Sequence, residues 1–266
     1  MNNFLAVNRV AFSIGGFDVY WYGIVICAAI ITAIVVATLF CKKKKYDTDM
    51  PLTIALVILP TGILAARLFS VIFEPGLSIS DFFNFRTGGL SIIGAIIGGG
   101  LGLLIYCLIK KRKNAFELFD TLSVVLLLAM AIGRWGNFFN GEVFGQVIEA
   151  DSVFARFPFA IEKDGIFYQA LFFYESCANV VGFIILSNIF MFSKQTGYTT
   201  AVMLMYYGIL RTILEPLRQS QYILKIAGLP VSRIMSIAMI VIGFAIFVYA
   251  VTKSVKAKKV KNEQKA

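Results

Sequence analysis

The sequence predicts an all-α integral membrane protein with seven transmembrane helices. Of its 266 residues, 59% are hydrophobic and 15% charged, and the mean hydropathy is +0.81. Soluble domains run near 45–50% apolar and about 25% charged, so lipid must be the solvent for most of this chain. Apolar runs of spanning length recur along it, and the basic residues between them fall on alternate sides.

The runs occupy about 19–40, 51–73, 89–109, 116–138, 169–192, 198–217 and 231–252, each near the roughly 20 residues that cross a bilayer. Residues 1–18 read as a short, non-spanning amphipathic segment at the interface. No basic n-region precedes the first run, so no cleavable signal peptide is expected. Lys42 to Lys45 follow the first run, and Lys110, Lys111, Arg112 and Lys113 follow the third. Lys194 follows the fifth, and six lysines from Lys253 to Lys265 follow the seventh. The other side carries Arg9, Arg86, Arg156, Lys163, Arg218 and Lys225, with Arg233 at the mouth of the last run. By the positive-inside rule the N-terminus lies outside and the C-terminus in the cytoplasm.

The connection 139–168 then forms a small extracytoplasmic head, and 253–266 a basic, lipid-attracted cytoplasmic tail. The whole chain, 1–266, reads as one membrane-embedded domain without an internal repeat.

Composition also removes chemistry. The chain has no histidine, which excludes the usual general base and the triads built on it. Cys27, Cys41, Cys107 and Cys177 form no CxxC pair and read as packing residues. No metal and no cofactor is expected. The net charge of +10 sits mostly in loops and the tail, where it sets topology and does not indicate nucleic acid.

Charges inside spans are costly and mark sites. Counting about 1.5 Å per helical residue, Tyr22, Arg67, Arg134, Glu175, Arg211 and Glu215 all fall in the outer half of the bilayer, on five helices. Glu117 and Asp120 lie near the inner end. This convergence predicts a polar cavity opening outwards. In the sixth run Tyr207, Arg211 and Glu215 are spaced i, i+4, i+8 and share a face, and Pro216 interrupts the helix behind them. They form either an ion pair that pins helices or an anion site in which Glu215 orients Arg211. The fourth run ends in GRWGNFFNGEVFG, with Arg134, Asn137, Asn140 and Glu142 close together. Guanidinium beside amide donors suits a phosphate; the alternative, an arginine snorkelling to headgroups, is less attractive beside two asparagines and a glutamate. Glycines 88, 89, 94, 98, 99, 100 and 102 of the third run indicate close helix packing.

GRWGNFFNGEVFG resembles the signature of the prolipoprotein diacylglyceryl transferases. WYG at 21–23, AARL at 65–68, GGLS at 88–91, FYES at 173–176 and Tyr207–Arg211–Glu215 follow in that family's order. The resemblance implies a multi-pass enzyme of the bacterial plasma membrane. Its reaction moves a diacylglyceryl group from phosphatidylglycerol to the lipobox cysteine of a prolipoprotein signal peptide, releasing glycerol phosphate. By the same resemblance Arg134 binds the headgroup with Asn137, Asn140 and Glu142, and Gly145 shapes the turn. Tyr22, Tyr207, Arg211 and Glu215 line the cavity, with Arg67 and Glu175 among the substrate-binding groups.

Two stretches depart from the family pattern. Ile93 of GGLSIIGA stands where relatives often carry histidine or tyrosine, with Ala95 for a glycine, and Gln169–Ala170 replaces histidine–proline. Ile93 cannot accept a proton, which leaves Glu142, Glu175, a tyrosine or water as base. Two other functions remain compatible with the residues: a catalytically impaired relative that binds anionic phospholipid, and a transporter of a small anion or lipid. Transport fits less well with polar groups concentrated on one side.

Overall fold

The computed structural model describes residues 8–73, 77–84, 90–110, 115–193, 195–219, 225–226 and 229–263. Arg86, Gly88, Gly89, Lys111, Arg112, Lys113, Lys194 and Lys265 lie outside the described residues, as do the side chains of Ile93, Lys225, Lys258, Lys259 and Lys261.

Seven helices carry the described chain: α1 (Trp21–Lys44), α2 (Met50–Phe73), α3 (Ile92–Ile109), α4 (Ala115–Asn140), α5 (Leu171–Phe192), α6 (Tyr198–Leu214) and α7 (Val231–Glu263). Each overlaps one predicted run. Among the described residues α1, α2, α4, α5 and α7 are long and apolar enough to cross a membrane; α3 is apolar over Gly94–Ile109, and α6 has 17 residues. The apolar character follows directly from lipid replacing water around backbone bonds that only a helix satisfies internally.

The chain is not wholly α. Where an amphipathic N-terminal segment was expected, β1 (Val10–Ile14) and β2 (Phe17–Tyr20) pair as an antiparallel hairpin. Gly15 and Gly16 form its two-residue turn, both at positive φ (57° and 81°), the backbone a tight hairpin requires. After α4 come β3 (Val147–Ile148), β4 (Ala160–Lys163) and β5 (Ile166–Gln169), a three-stranded antiparallel sheet in the order β3-β5-β4. Its core of Phe144, Ile161, Ala170 and Phe172 packs against Trp135 and Phe138 of α4. A short pair, β6 (Lys225–Ile226) and β7 (Leu229–Pro230), precedes α7.

Two compact units divide the chain, Cys41–Leu118 and the remainder. In the first, α2 and α3 pack backbone against backbone. A Cβ on Gly94 would strike the Ala65 carbonyl, one on Gly98 Ala65 and the Thr61 carbonyl, and one on Gly102 the Thr61 hydroxyl. These glycines recur every four residues on one face, as predicted for close packing. Gly98→Val is expected to destabilise this unit by about 1–3 kcal/mol through overpacking, whereas nothing lies within 4 Å of a Cβ on Gly100. Unfolding of the two variants in detergent, the second as Gly100→Ala, checks the contrast; equal stability would remove the close approach.

Arg67 of α2 is fully buried in the same unit. Its Nη2 donates to the carbonyls of Asp81 (2.7 Å) and Asn84 (2.6 Å). These bonds tie α2 to the turn after the 3-10 segment Ile79–Asp81.

In the larger unit, Asp120 of α4 secures the start of α6. Its carboxylate accepts from Gly197 N (2.6 Å), Thr200 N (2.8 Å) and Thr200 Oγ1 (2.7 Å). A carboxylate at a helix N-terminus satisfies orphan donors and opposes the dipole. The sequence placed Asp120 near the inner interface without giving it this partner. Asp120→Ala is expected to cost about 1–3 kcal/mol because buried donors lose their acceptor. Amide exchange at 197–201 would speed up selectively, and unchanged protection would remove this role.

Candidate active site

The signature GRWGNFFNGE builds its geometry from the end of α4. Gly141 takes the left-handed conformation, φ 62°; its N–H donates to Phe138 O (3.1 Å) and the Glu142 N–H to Asn137 O (3.1 Å). This double closure is a Schellman ending, for which glycine is the natural residue. It folds Glu142 back over the last helical turn. Glu142 Oε1 there accepts from the amides of Asn137 (3.1 Å) and Asn140 (3.3 Å). Val143 follows at φ 59°, an unusual backbone for a β-branched residue. It lines a small enclosed space with Arg134, Asn137 and Glu175.

Glu175 of α5, 3% exposed, is the hub of the site. Its Oε2 pairs with Nε of Arg134. Its Oε1 accepts from Arg211 Nη1 (3.4 Å) and Arg218 Nη2 (3.2 Å). Arg211 also donates through Nη2 to Glu215 Oε2 (2.7 Å), and Ser232 donates to the other oxygen of Glu215. In this ion-paired group three guanidiniums meet two carboxylates, an excess of one positive charge.

Arg218 is the member that sequence reasoning missed, having been counted as an external loop charge. α6 stops at Leu214, short of the predicted 217, because Pro216 cannot continue it; Glu215–Leu217 forms one 3-10 turn. That turn delivers Arg218 to the hub, where it bridges to Gly145, while Gln146 Nε2 lies 3.3 Å from the carbonyls of Pro216 and Arg218. The spacing Arg211, Glu215, Arg218 directly after an interrupted span was the available signal. Burial, then the charges of Arg211 and Arg134, lowers the Arg218 pKa, against the pull of Glu175. Its Nε is buried without a hydrogen-bond partner among the described residues.

The remaining predicted residues divide. Tyr22 packs on α4: a Cβ on Gly136 would approach its ring to 2.7 Å, and its hydroxyl feels the charges of both Glu142 and Arg134. Gly145 fits its place through close approach, its N–H donating to Gln169 O (3.0 Å) and a Cβ there meeting the Gln169 side chain at 2.7 Å. Tyr207 is half-buried and its hydroxyl makes no hydrogen bond among the described residues, so the stepwise contact along this face joins Arg211 to Glu215 only. Arg67 has the turn carbonyls described above as its partners.

The profile of the prolipoprotein diacylglyceryl transferases matches residues 9–249. The chain belongs to this family. A phosphatidylglycerol–prolipoprotein diacylglyceryl transferase of Clostridium kluyveri is 35% identical over 250 residues, covering 91% of this chain and 96% of the relative. The transferase 1 of Clostridium perfringens is 34% identical over 95% of this chain and 98% of its own length. The Finegoldia magna transferase is 36% identical over 89% and 93%. The family match spans α1 through most of α7, and so covers every arginine and glutamate of the hub.

Proposed function

We propose that this membrane protein transfers the diacylglyceryl group of phosphatidylglycerol to prolipoproteins, the reaction its relatives are named for, and that the acceptor is the lipobox cysteine. The observation that carries this onto the residues is the convergence of Arg134, Arg211 and Arg218 on Glu175, with one positive charge in excess.

The cysteine sulfur attacks the glycerol carbon that bears the phosphate. The C–S bond forms, the C–O bond breaks, and the electron pair leaves on the phosphate oxygen as glycerol phosphate. Negative charge thus grows where guanidiniums are fixed in advance, which is where electrostatic catalysis is strongest. Arg134 and Arg211 hold the phosphate, Arg218 adds its positive charge to the group, and Glu215 orients Arg211. Glu142 accepts from the amides of Asn137 and Asn140, and Glu175 from the three arginines. The same positive field lowers the thiol pKa from about 8.5. The proton passes to solvent, because a phosphate monoester with a second pKa near 6 does not retain it at neutral pH.

In this reading all seven helices span, the N-terminus and the β3–β5 sheet lie outside, and the basic tail is in the cytoplasm of a bacterium. One domain carries the reaction. The test incubates purified protein with phosphatidylglycerol and a lipobox peptide and weighs the peptide. A diacylglyceryl thioether on cysteine, absent from a serine-for-cysteine peptide, is expected. No adduct from folded protein that still retains phosphatidylglycerol would favour a lipid-binding relative without turnover, the reading that Ile93 in place of histidine supports.

A further inference from the structure

Below the ion cluster, α1, α4 and α5 leave a groove of about 380 Å³. Its lining is apolar apart from Ser176, whose hydroxyl donates to the Ala131 carbonyl (2.8 Å). At the mouth, Trp21 stacks on Phe139 with centroids 5.3 Å apart. From there the α4 wall descends to Leu128, a run of roughly 16 Å at helical rise. One leaflet of a bilayer's hydrocarbon core is roughly 15 Å deep, so the groove has the length of one leaflet.

The groove and the ion cluster share a seam. Ser176 and Ala131 meet in the groove wall, and Glu175, the next residue on α5, and Arg134, three residues along α4, meet in the cluster. An occupant with an anionic head at the arginines therefore has its apolar part here. A peptide helix, about 10–12 Å in diameter, does not seat within the groove. A single fatty-acyl chain does. We propose that the groove seats one acyl chain of the glycerophospholipid donor, and that the small side chains Ala28 and Ala131 set the chain length it accepts. This rests on the phospholipid reading of the cluster. Ala28 lies seven residues below Trp21 on α1, roughly 10 Å into the groove, and is exposed to it.

Ala28→Phe, with Ala28→Leu as a milder companion, would close the lower part. The experiment offers an equal mixture of dioctanoyl and dipalmitoyl phosphatidylglycerol, and reads both lipid retained by native mass spectrometry and adduct formed on a lipobox peptide. Relative to wild type, the variants are expected to shift both ratios towards dioctanoyl by roughly tenfold, the loss of one or two buried methylenes. Val35→Phe, at an exposed α1 position outside the groove lining, should leave both ratios unchanged. Unaltered ratios in the Ala28 variants, or an equal shift in Val35→Phe, would overturn the proposal. If wild type retains lipid but forms no adduct, transfer fails as the function while the retention ratios still decide the groove.

Discussion

Arg134→Ala is expected to lower transfer by roughly 100-fold or more, the usual loss on removing one fixed donor from developing negative charge. The protein should still insert and unfold cooperatively, because Glu175 keeps Arg211 and Arg218 as partners. Arg134→Lys restores the charge but not the planar fork, and should recover only part of the rate. The comparison is initial rates of peptide adduct formation at saturating lipid, with unfolding measured on the same preparations. Full activity in Arg134→Ala would take the residue out of the mechanism.

The second large effect is on stability. Glu175→Gln leaves Arg134, Arg211 and Arg218 crowded at a buried position with Glu215 as the remaining carboxylate of the group. Uncompensated buried charge typically costs about 3–5 kcal/mol, so this variant should unfold far more readily in micelles or fail to accumulate. Adding Arg218→Gln removes one of the crowded charges and should recover part of the loss. The measurement is a double-mutant cycle. Simple additivity of the two losses would show that Glu175 does not hold the arginines together.

Hydropathy located the helices because lipid sorts whole segments by transfer energy, a property that each run carries in its own composition. The same measure is blind to pairing. Gly15–Gly16 was a hairpin turn signal, but residues 1–18 were read together as one amphipathic segment at the interface. Arg218 was counted among loop charges since it lies just past an apolar run, and only the 3-10 turn at Glu215–Leu217 brings it to Glu175. Asp120 reaches across to an amide 77 residues further along, a separation that local periodicity does not register. Arg134, Glu175, Arg211 and Glu215 were legible because charge within a span has few explanations. Their meeting on one carboxylate was not, since three-way geometry depends on how α4, α5 and α6 pack.

The hub also sets a schedule for biosynthesis. Arg134 is made first, Glu175 follows, and Arg218 comes another 43 residues later. At about 5–20 residues per second, roughly 2–9 s separate the central carboxylate from its last partner. Through that interval Glu175 has Arg134 of α4 as a finished partner, while its bonds to Arg211 and Arg218 are still to be made. The hub is therefore completed only when α6 and the 3-10 turn behind it have been made, and a nascent chain arrested before Arg211 should hold the Arg134–Glu175 pair without the rest of the cluster.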